Sequence, residues 1–361
     1  MPLLTNVESF LQNEPAWPAS SARSILRLEG MRRWLAAQVP AMRRVTHDRL
    51  AARSGGDLQE AKTEIRKIGF DCFSAMALGR TLDEAAWAAL YRMVEEGDQR
   101  MNGVLITGDK SIDPGFLKAR KAWWAIFEAA VADARQGALE GRSDKLAFVL
   151  RSDSDLSDEE IARSLSNLYF SGMFSSSSAL QSLLYELSNH PDDRAAVQAE
   201  VDALPEDYSL EQLEALPALD RCLREALRLH PPVPVFLRRS LEEEQVALGE
   251  WTLKENTQVF VSPYATQRSA RYWERPNVWL PERWTTELIQ ARPYGSGEFW
   301  PFGRGPRSCS GEVVATAYIK TAAATALRGF DLQIGAGEDW DGEQFFGTMV
   351  AKGMTATIAP R

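Results

Sequence analysis

The sequence predicts a mainly α fold with small β-sheets, built as one large domain. Three observations predict it. Apolar residues recur at helical spacing through most of the stretch from residue 21 to residue 230. Strand-type alternation is confined to residues 246–262 and to the short segments 331–334 and 354–358. No internal repeat and no low-complexity linker divides the 361 residues, a length that one large domain accommodates.

Composition bounds the function. Hydrophobic residues make up 45% and charged residues 25%, enough for a substantial core. A net charge of −9 argues against a nucleic-acid surface. The three cysteines (Cys72, Cys222, Cys309) and three histidines (His47, His190, His230) lie too far apart for a metal-binding spacing. Unpaired cysteines predict reduced thiols and a cytoplasmic, soluble protein. The first residues lack a basic segment followed by an apolar core, so no signal peptide is expected. No run of about 18 apolar residues predicts a membrane span. Eleven tryptophans are many for this length, and the sequence alone assigns them no role.

Taken in order, residues 21–53 read as helix interrupted at Pro40, with Ile25, Leu28, Met31, Leu35 and Val39 on one face. Arg23 and Arg27 lie four apart on this helix, either as two solvated cations or as a fork for a carboxylate. Segments 57–79, 82–97 and 114–136 are further helices, and their aromatic stripes are core. Ser157 with Glu160 forms a capping box, from which helical patterning runs to His190-Pro191. A helix of more than 30 residues spans roughly 50 Å and must pass through the middle of the domain. Near its centre lies Phe170-Ser171-Gly172-Met173-Phe174-Ser175-Ser176-Ser177-Ser178, whose glycine and serines are poor helix formers and predict a kink or local widening.

Ser209 with Gln212 caps a short helix, and a further helix over 219–230 is stopped by Pro231-Pro232. That helix carries Glu225 and Arg228 three apart among Leu, Cys and Ala. The surroundings predict a buried pair that needs further partners, and Arg283 in Pro281-Glu282-Arg283-Trp284 is the candidate.

The most informative stretch is Phe302-Gly303-Arg304-Gly305-Pro306-Arg307-Ser308-Cys309-Ser310-Gly311. A glycine-rich loop presents one thiol just ahead of an apolar helix, where the helix dipole and two arginines favour the thiolate. Gly303, Gly305 and Gly311 let the backbone turn sharply or approach a flat ligand.

With Phe302, Gly305, Arg307, Cys309 and Gly311 in place, this stretch reads F-x-x-G-x-R-x-C-x-G and resembles the haem-thiolate loop of the cytochrome P-450 family. Glu225-x-x-Arg228 and the Pro281–Trp284 stretch agree independently, so the resemblance runs from the long helix to the C-terminus. It implies haem b (iron protoporphyrin IX) with Cys309 as axial metal ligand, framed by Phe302, Gly303 and Gly311. It implies that Arg307 and Arg238 contact the haem propionates, with Arg27, beside Arg23, in the family's helical propionate position. Glu225, Arg228 and Arg283 are then a structural triad, and Val233 to Leu237 lie over the haem edge. On the oxygen side it implies roles for Gly172, Phe174, Ser175 and Ser176.

Two departures stand against the family pattern. If Arg27 is the helical arginine, the chain begins late, without the N-terminal helix, most of a sheet and the substrate-facing loop that normally precede it. The long helix also puts Phe174 where an acid belongs and Ser175 where an alcohol belongs, so the usual carboxylate of the proton relay is missing. The implied activity is monooxygenation of an apolar small organic molecule with O2 (hydroxylation, epoxidation or oxidative coupling). A separate ferredoxin- or flavin reductase-type protein would supply electrons, docking near Arg304, Arg307, Lys320 and Arg328, and the enzyme would be a monomer. Alternatives are a peroxide-using or isomerase/lyase-type enzyme, or a haem-binding accessory protein without turnover.

Overall fold

The computed structural model describes residues 30–58, 61–94, 114–137, 139–152, 156–240, 245–255, 257–305, 308–335, 343–345, 348–350 and 353–361. Helices dominate, and the strands form four small antiparallel sheets among the described residues, as the sequence predicts.

The organising element is the long helix, here α7 (Asp158–Asn189). Its capping box forms as expected: Ser157 N–H donates to Glu160 Oε2 at 2.8 Å, and Glu160 N–H to Ser157 Oγ at 3.3 Å. Asp158, Glu159 and Glu160 place negative charge at the positive end of the dipole. The expected local widening does not occur; the helix is α throughout. Its serines return their hydroxyl protons to the helix, Ser175 to Ser171 O at 2.9 Å and Ser182 to Ser178 O at 3.0 Å. They thereby satisfy themselves without opening a turn.

Around α7 pack α3 (Ala61–Leu78), α5 (Pro114–Gln136), α10 (Pro217–Leu229) and α13 (Glu312–Gly329). The junction of α3 and α7 is close because Gly69 has no side chain: a Cβ there would lie 2.1 Å from Ser177 Oγ and 3.2 Å from Tyr318 Oη. Phe70, Phe73, Trp123, Phe127 and Tyr169 interlock edge to face across α3, α5 and α7. The aromatic stripes read from the sequence are therefore core.

Two boundaries move. The break in the first helical stretch falls at Ala37-Gln38, between α1 (Met31–Ala36) and α2 (Val39–Ala51). Pro40 sits in the first turn of α2, where its missing N–H costs nothing. The expected helix over 57–79 instead begins at Ala61, because Gly56–Leu58 form strand β1. Gly55, at φ 90°, turns the chain so that β1 pairs with β9 (Thr355–Pro360) in the register Gly56↔Ile358.

The other edge of β9 pairs with β6 (Phe330–Gly335), whose side chains alternate buried and exposed. The alternating region 246–262 divides into hairpin β3 (Val246–Leu248)–β4 (Trp251–Leu253) and strand β5 (Gln258–Val261). β5 pairs antiparallel with β2 (Phe236–Arg239). Among the described residues no helix is long and apolar enough to cross a membrane.

Candidate active site

α10 carries a buried, fully paired charge cluster. Its helical spacing sets Glu225 and Arg228 side by side, both fully buried. Arg228 grips the carboxylate with two bonds, Nε to Oε2 at 2.9 Å and Nη2 to Oε1 at 2.8 Å. Three donors from the later chain join them: Arg283 Nε at 3.1 Å, the Leu280 amide at 3.0 Å and Trp284 Nε1 at 2.9 Å. Arg228 in turn donates to the carbonyls of Gln267, Pro276 and Val278 at 2.8, 2.6 and 3.2 Å. Arg283 donates to those of Glu274 and Arg275 at 2.8 and 3.2 Å. One buried carboxylate thus fixes the path of residues 274–284, a stretch with little regular structure of its own.

This cluster is tied to the cysteine loop by a residue that sequence reasoning missed. Gln267 is fully buried; its Nε2 donates to the carbonyls of Leu227 and Arg228 at 3.0 and 3.1 Å, satisfying the end of α10. Its Oε1 accepts the Trp300 amide at 2.9 Å, two residues before Phe302. Nothing local marks such a glutamine, because its partners are 33 to 40 positions away. Several tryptophans also acquire a role here. Trp273, Trp284 and Phe299 pack ring on ring, and Tyr294 bridges Phe299 to Phe302.

The cysteine loop is a closed turn. Gly303 N–H donates to Trp300 O at 2.9 Å, Ser308 N–H to Gly305 O at 2.9 Å, and Cys309 N–H back to Phe302 O at 2.8 Å. Gly303 and Gly305 take φ 74° and 76°, left-handed values that a side chain would strain. Cys309 is exposed, and the Gly311 amide points at its Sγ from 3.3 Å. The thiol is open to solvent, yet neighbouring protein packs around it. That burial, with the Glu312 carboxylate, pushes its pKa up, against the pull of the Gly311 and Glu312 amides. The sequence expectation of a favoured thiolate is therefore corrected for the protein alone: the amide donors are present, but desolvation outweighs them.

Cys72 and Cys222 are buried; burial pushes Cys72 up to about 12, and Cys222 upward as well. Of the three thiols, only Cys309 is open to a ligand.

The middle of α7 is also open on one side. Between Ser164 and Leu184 every residue is buried except Leu168, Ser171, Gly172 and Ser175, which form one stripe. Gly172 is required by packing, since a Cβ would lie 2.5 Å from Cε1 of the Phe73 ring. Phe174 does not face this stripe. It is 4% exposed, stacks edge-on against Phe170, and lies 6.0 Å from the guanidinium of Arg66. Ser176 is buried, and its hydroxyl has no hydrogen-bond partner.

Arg238 lies on β2 two positions from Phe236, hence on the same face, and Phe236 stacks on Trp300 at 5.7 Å. Arg23, Arg27 and Arg307 lie outside the described residues. Lys320, expected on a docking face, is instead buried and donates to Asp220 Oδ1 at 2.8 Å. Burial alone would raise the Asp220 pKa, but the Lys320 and Arg224 charges hold it below the ordinary value.

Comparison with known proteins agrees with this architecture. The family model for cytochrome P450 matches residues 80–353. Cytochrome P450 4V2 of Rattus norvegicus is 31% identical over 296 residues, covering 78% of this chain and 53% of the rat protein. Cytochrome P450 76C1 of Arabidopsis thaliana is 32% identical over 301 residues, covering 81% of this chain and 57% of the plant protein. The chain thus spans about half the length of these relatives. Among solved structures, retinoic acid bound cyanobacterial CYP120A1 superposes with a TM-score of 0.83 at 22% identity, covering all of this chain and 84% of the other. The cytochrome P450DA heme domain does so at 0.80 and 21%, covering 96% and 78%. At these identities the structures speak for the fold alone. The family match extends over three quarters of the chain and implies a haem iron cofactor. The chain belongs to the cytochrome P450 family.

Proposed function

We propose that this chain is a haem-thiolate monooxygenase in which Cys309 is the axial ligand of haem b. The observation that carries the reading is the cysteine loop itself. Its thiol is solvent-open at a closed glycine turn, with a backbone N–H aimed at the sulfur, as a metal-bound thiolate needs. The raised pKa of the free thiol is no obstacle, because a coordinated metal deprotonates a thiol outright. Thiolate-ligated haem supplies oxygen activation and oxygen transfer to an organic substrate.

The chain's own residues do the rest. Gly303 and Gly311 leave room beside the sulfur, and Phe302 is held by Tyr294. Arg238 offers a guanidinium for a propionate, joined in this reading by Arg307, Arg27 and Arg23. Glu225, Arg228 and Arg283 keep the residue 274–284 stretch, and through Gln267 the start of the cysteine loop, in place. On α7, Gly172 lets the Phe73 ring pack against the helix, and the half-open stripe runs beside it through Leu168, Ser171 and Ser175. Ser175, its own proton given to Ser171 O, is free to accept a hydrogen bond from water or substrate. Ser176 holds a hydroxyl in reserve one residue on. Electrons come from a separate donor of ferredoxin or flavin reductase type, with exposed Arg304 as a contact for an acidic surface.

One observation favours a second reading, use of peroxide in place of oxygen and a reductase. Phe174 fills the place of the relay acid and is packed into the core beside Arg66, so α7 itself presents no carboxylate on the open stripe. A positioned proton donor is worth about 10²–10⁴-fold in rate. Ser175→Glu puts a carboxylate on the open stripe itself. If the second reading holds, Ser175→Glu raises coupled oxygen turnover by about tenfold or more, with peroxide turnover little changed. Unchanged coupling in an already well-coupled parent sinks it and leaves the Ser175 and Ser176 hydroxyls as the relay.

A further inference from the structure

A cavity opens on a part of the fold that the haem-side reading leaves unused. α2, the end of α3, the end of α5 and the start of α6 (Lys145–Arg151) enclose a half-open space of about 490 Å3. None of its lining residues belongs to α7 or to the cysteine loop. A space of this size admits a small organic molecule. Its wall is fixed by hydrogen bonds. Gln38, 1% exposed, donates from Nε2 to Ser143 O at 2.6 Å and so joins α2 to the loop before α6. Arg142 grips Asp144 with two bonds, Nε to Oδ2 at 2.8 Å and Nη2 to Oδ1 at 2.9 Å, and reaches Leu78 O at 3.2 Å. Asp144 Oδ1 in turn accepts the Ala147 amide at 3.1 Å and caps α6. Gly79, at φ 73°, is required beside it, since a Cβ would lie 2.9 Å from Asp144 Oδ2.

The floor is apolar, supplied by the buried side chains of Leu78, Ala130 and Leu146. The charges above it do not balance. Arg142 is paired with Asp144, but Arg44 and Arg80 also line the cavity. Among the described residues neither has a hydrogen-bond or ion-pair partner. The remaining charged lining residue is Asp133, on α5. Three arginines against two aspartates leave a surplus of one positive charge, in a chain whose net charge is −9. We infer that this cavity binds a small organic monocarboxylate with an apolar body, fatty or aromatic, at a site separate from the haem side. The floor takes the body. The guanidiniums of Arg44 and Arg80 take the carboxylate, for which their planar forks are suited. One negative charge balances the cavity, whereas a dianion exceeds the surplus and meets the Asp133 carboxylate. An uncharged analogue fills the floor but leaves both guanidiniums without an anion. The inference does not depend on Cys309 or on haem.

The test titrates the purified full chain calorimetrically with 2-naphthoate, 2-naphthalenemethanol, 2-naphthyl phosphate and octanoate. The parent is expected to bind 2-naphthoate about tenfold more tightly than the alcohol, and more tightly than the phosphate. Octanoate distinguishes a fatty from an aromatic body, and tight binding of either acid supports the site. Arg44→Gln combined with Arg80→Gln should bring the acid-to-alcohol ratio close to one. Both arginines are exposed, so the melting temperature of the unliganded variant stays level. Ala41→Trp fills the cavity from α2 and should abolish binding of acid and alcohol alike. Because the cavity is half open, added salt should weaken the acid and spare the alcohol.

The Soret band is recorded in the same titrations, because an organic acid can also enter the haem side. Acid binding that moves this band and survives Ala41→Trp belongs to the haem side and overturns the inference. So does a parent that binds the acid no better than the alcohol, or one that prefers the phosphate. An acid preference that persists in the double arginine variant overturns it too. Should Ala41→Trp fail to fold, the arginine pair alone decides.

Discussion

Glu225→Ala is expected to yield little folded, haem-loaded protein. The carboxylate accepts five hydrogen bonds, from Arg228 (two), Arg283, the Leu280 amide and Trp284. All of it is removed from water, as is Arg228. Deleting one partner of such a pair leaves an uncompensated buried charge and costs about 3–5 kcal/mol. That is a large share of the 5–15 kcal/mol by which proteins of this kind exceed their unfolded state. The loss is directed: residues 274–284 and, through Gln267 and Trp300, the cysteine loop lose their fixed course. Glu225→Gln, which keeps the shape and part of the acceptor capacity, should retain more holoprotein than alanine. Soluble yield and haem content per chain are the measurements. An alanine variant that is fully folded and fully loaded shows that the cluster does not brace the site.

Cys309→Ala carries the second large effect. If the thiolate is the iron ligand, its removal takes away the one bond from protein to metal, and haem content after gel filtration should fall at least about tenfold. The protein itself should survive, because Cys309 is exposed and its sulfur accepts only local backbone hydrogen bonds. Cys72→Ala and Cys222→Ala make the opposite pattern. Both thiols are buried in the core, so these variants lose some stability to the cavity but keep their haem. Haem retained at parental level in Cys309→Ala contradicts the assignment.

What was legible in the sequence was what local spacing encodes. The capping box at Ser157, the pairing of Glu225 with Arg228 and the turn residues around Cys309 all act over a few positions, and each forms as read. What was not legible depends on which side of an element meets its neighbour. Lys320 reads as a surface cation, but α13 turns it onto Asp220 of α10, where it is buried. Phe174 reads as a relay position, yet the helix directs it onto Phe170 and Arg66, away from the open stripe. The four serines leave the helix α throughout, Ser175 by bonding back to Ser171 O while Ser176 and Ser177 are packed into the core. Gln267 and Trp300, which link the charge cluster to the cysteine loop, carry no local signature at all. The same holds for β1, which becomes a strand only because β9 returns to it from the far end of the chain.

The reduced carbon monoxide difference spectrum of the purified protein decides whether Cys309 ligates haem iron as a thiolate. The red-shifted Soret band of a thiolate-ligated complex is expected in the parent and in Cys72→Ala and Cys222→Ala, and not in Cys309→Ala. A band at the position of imidazole- or thiol-ligated haem in the parent, or a red-shifted band that persists in Cys309→Ala, would contradict it.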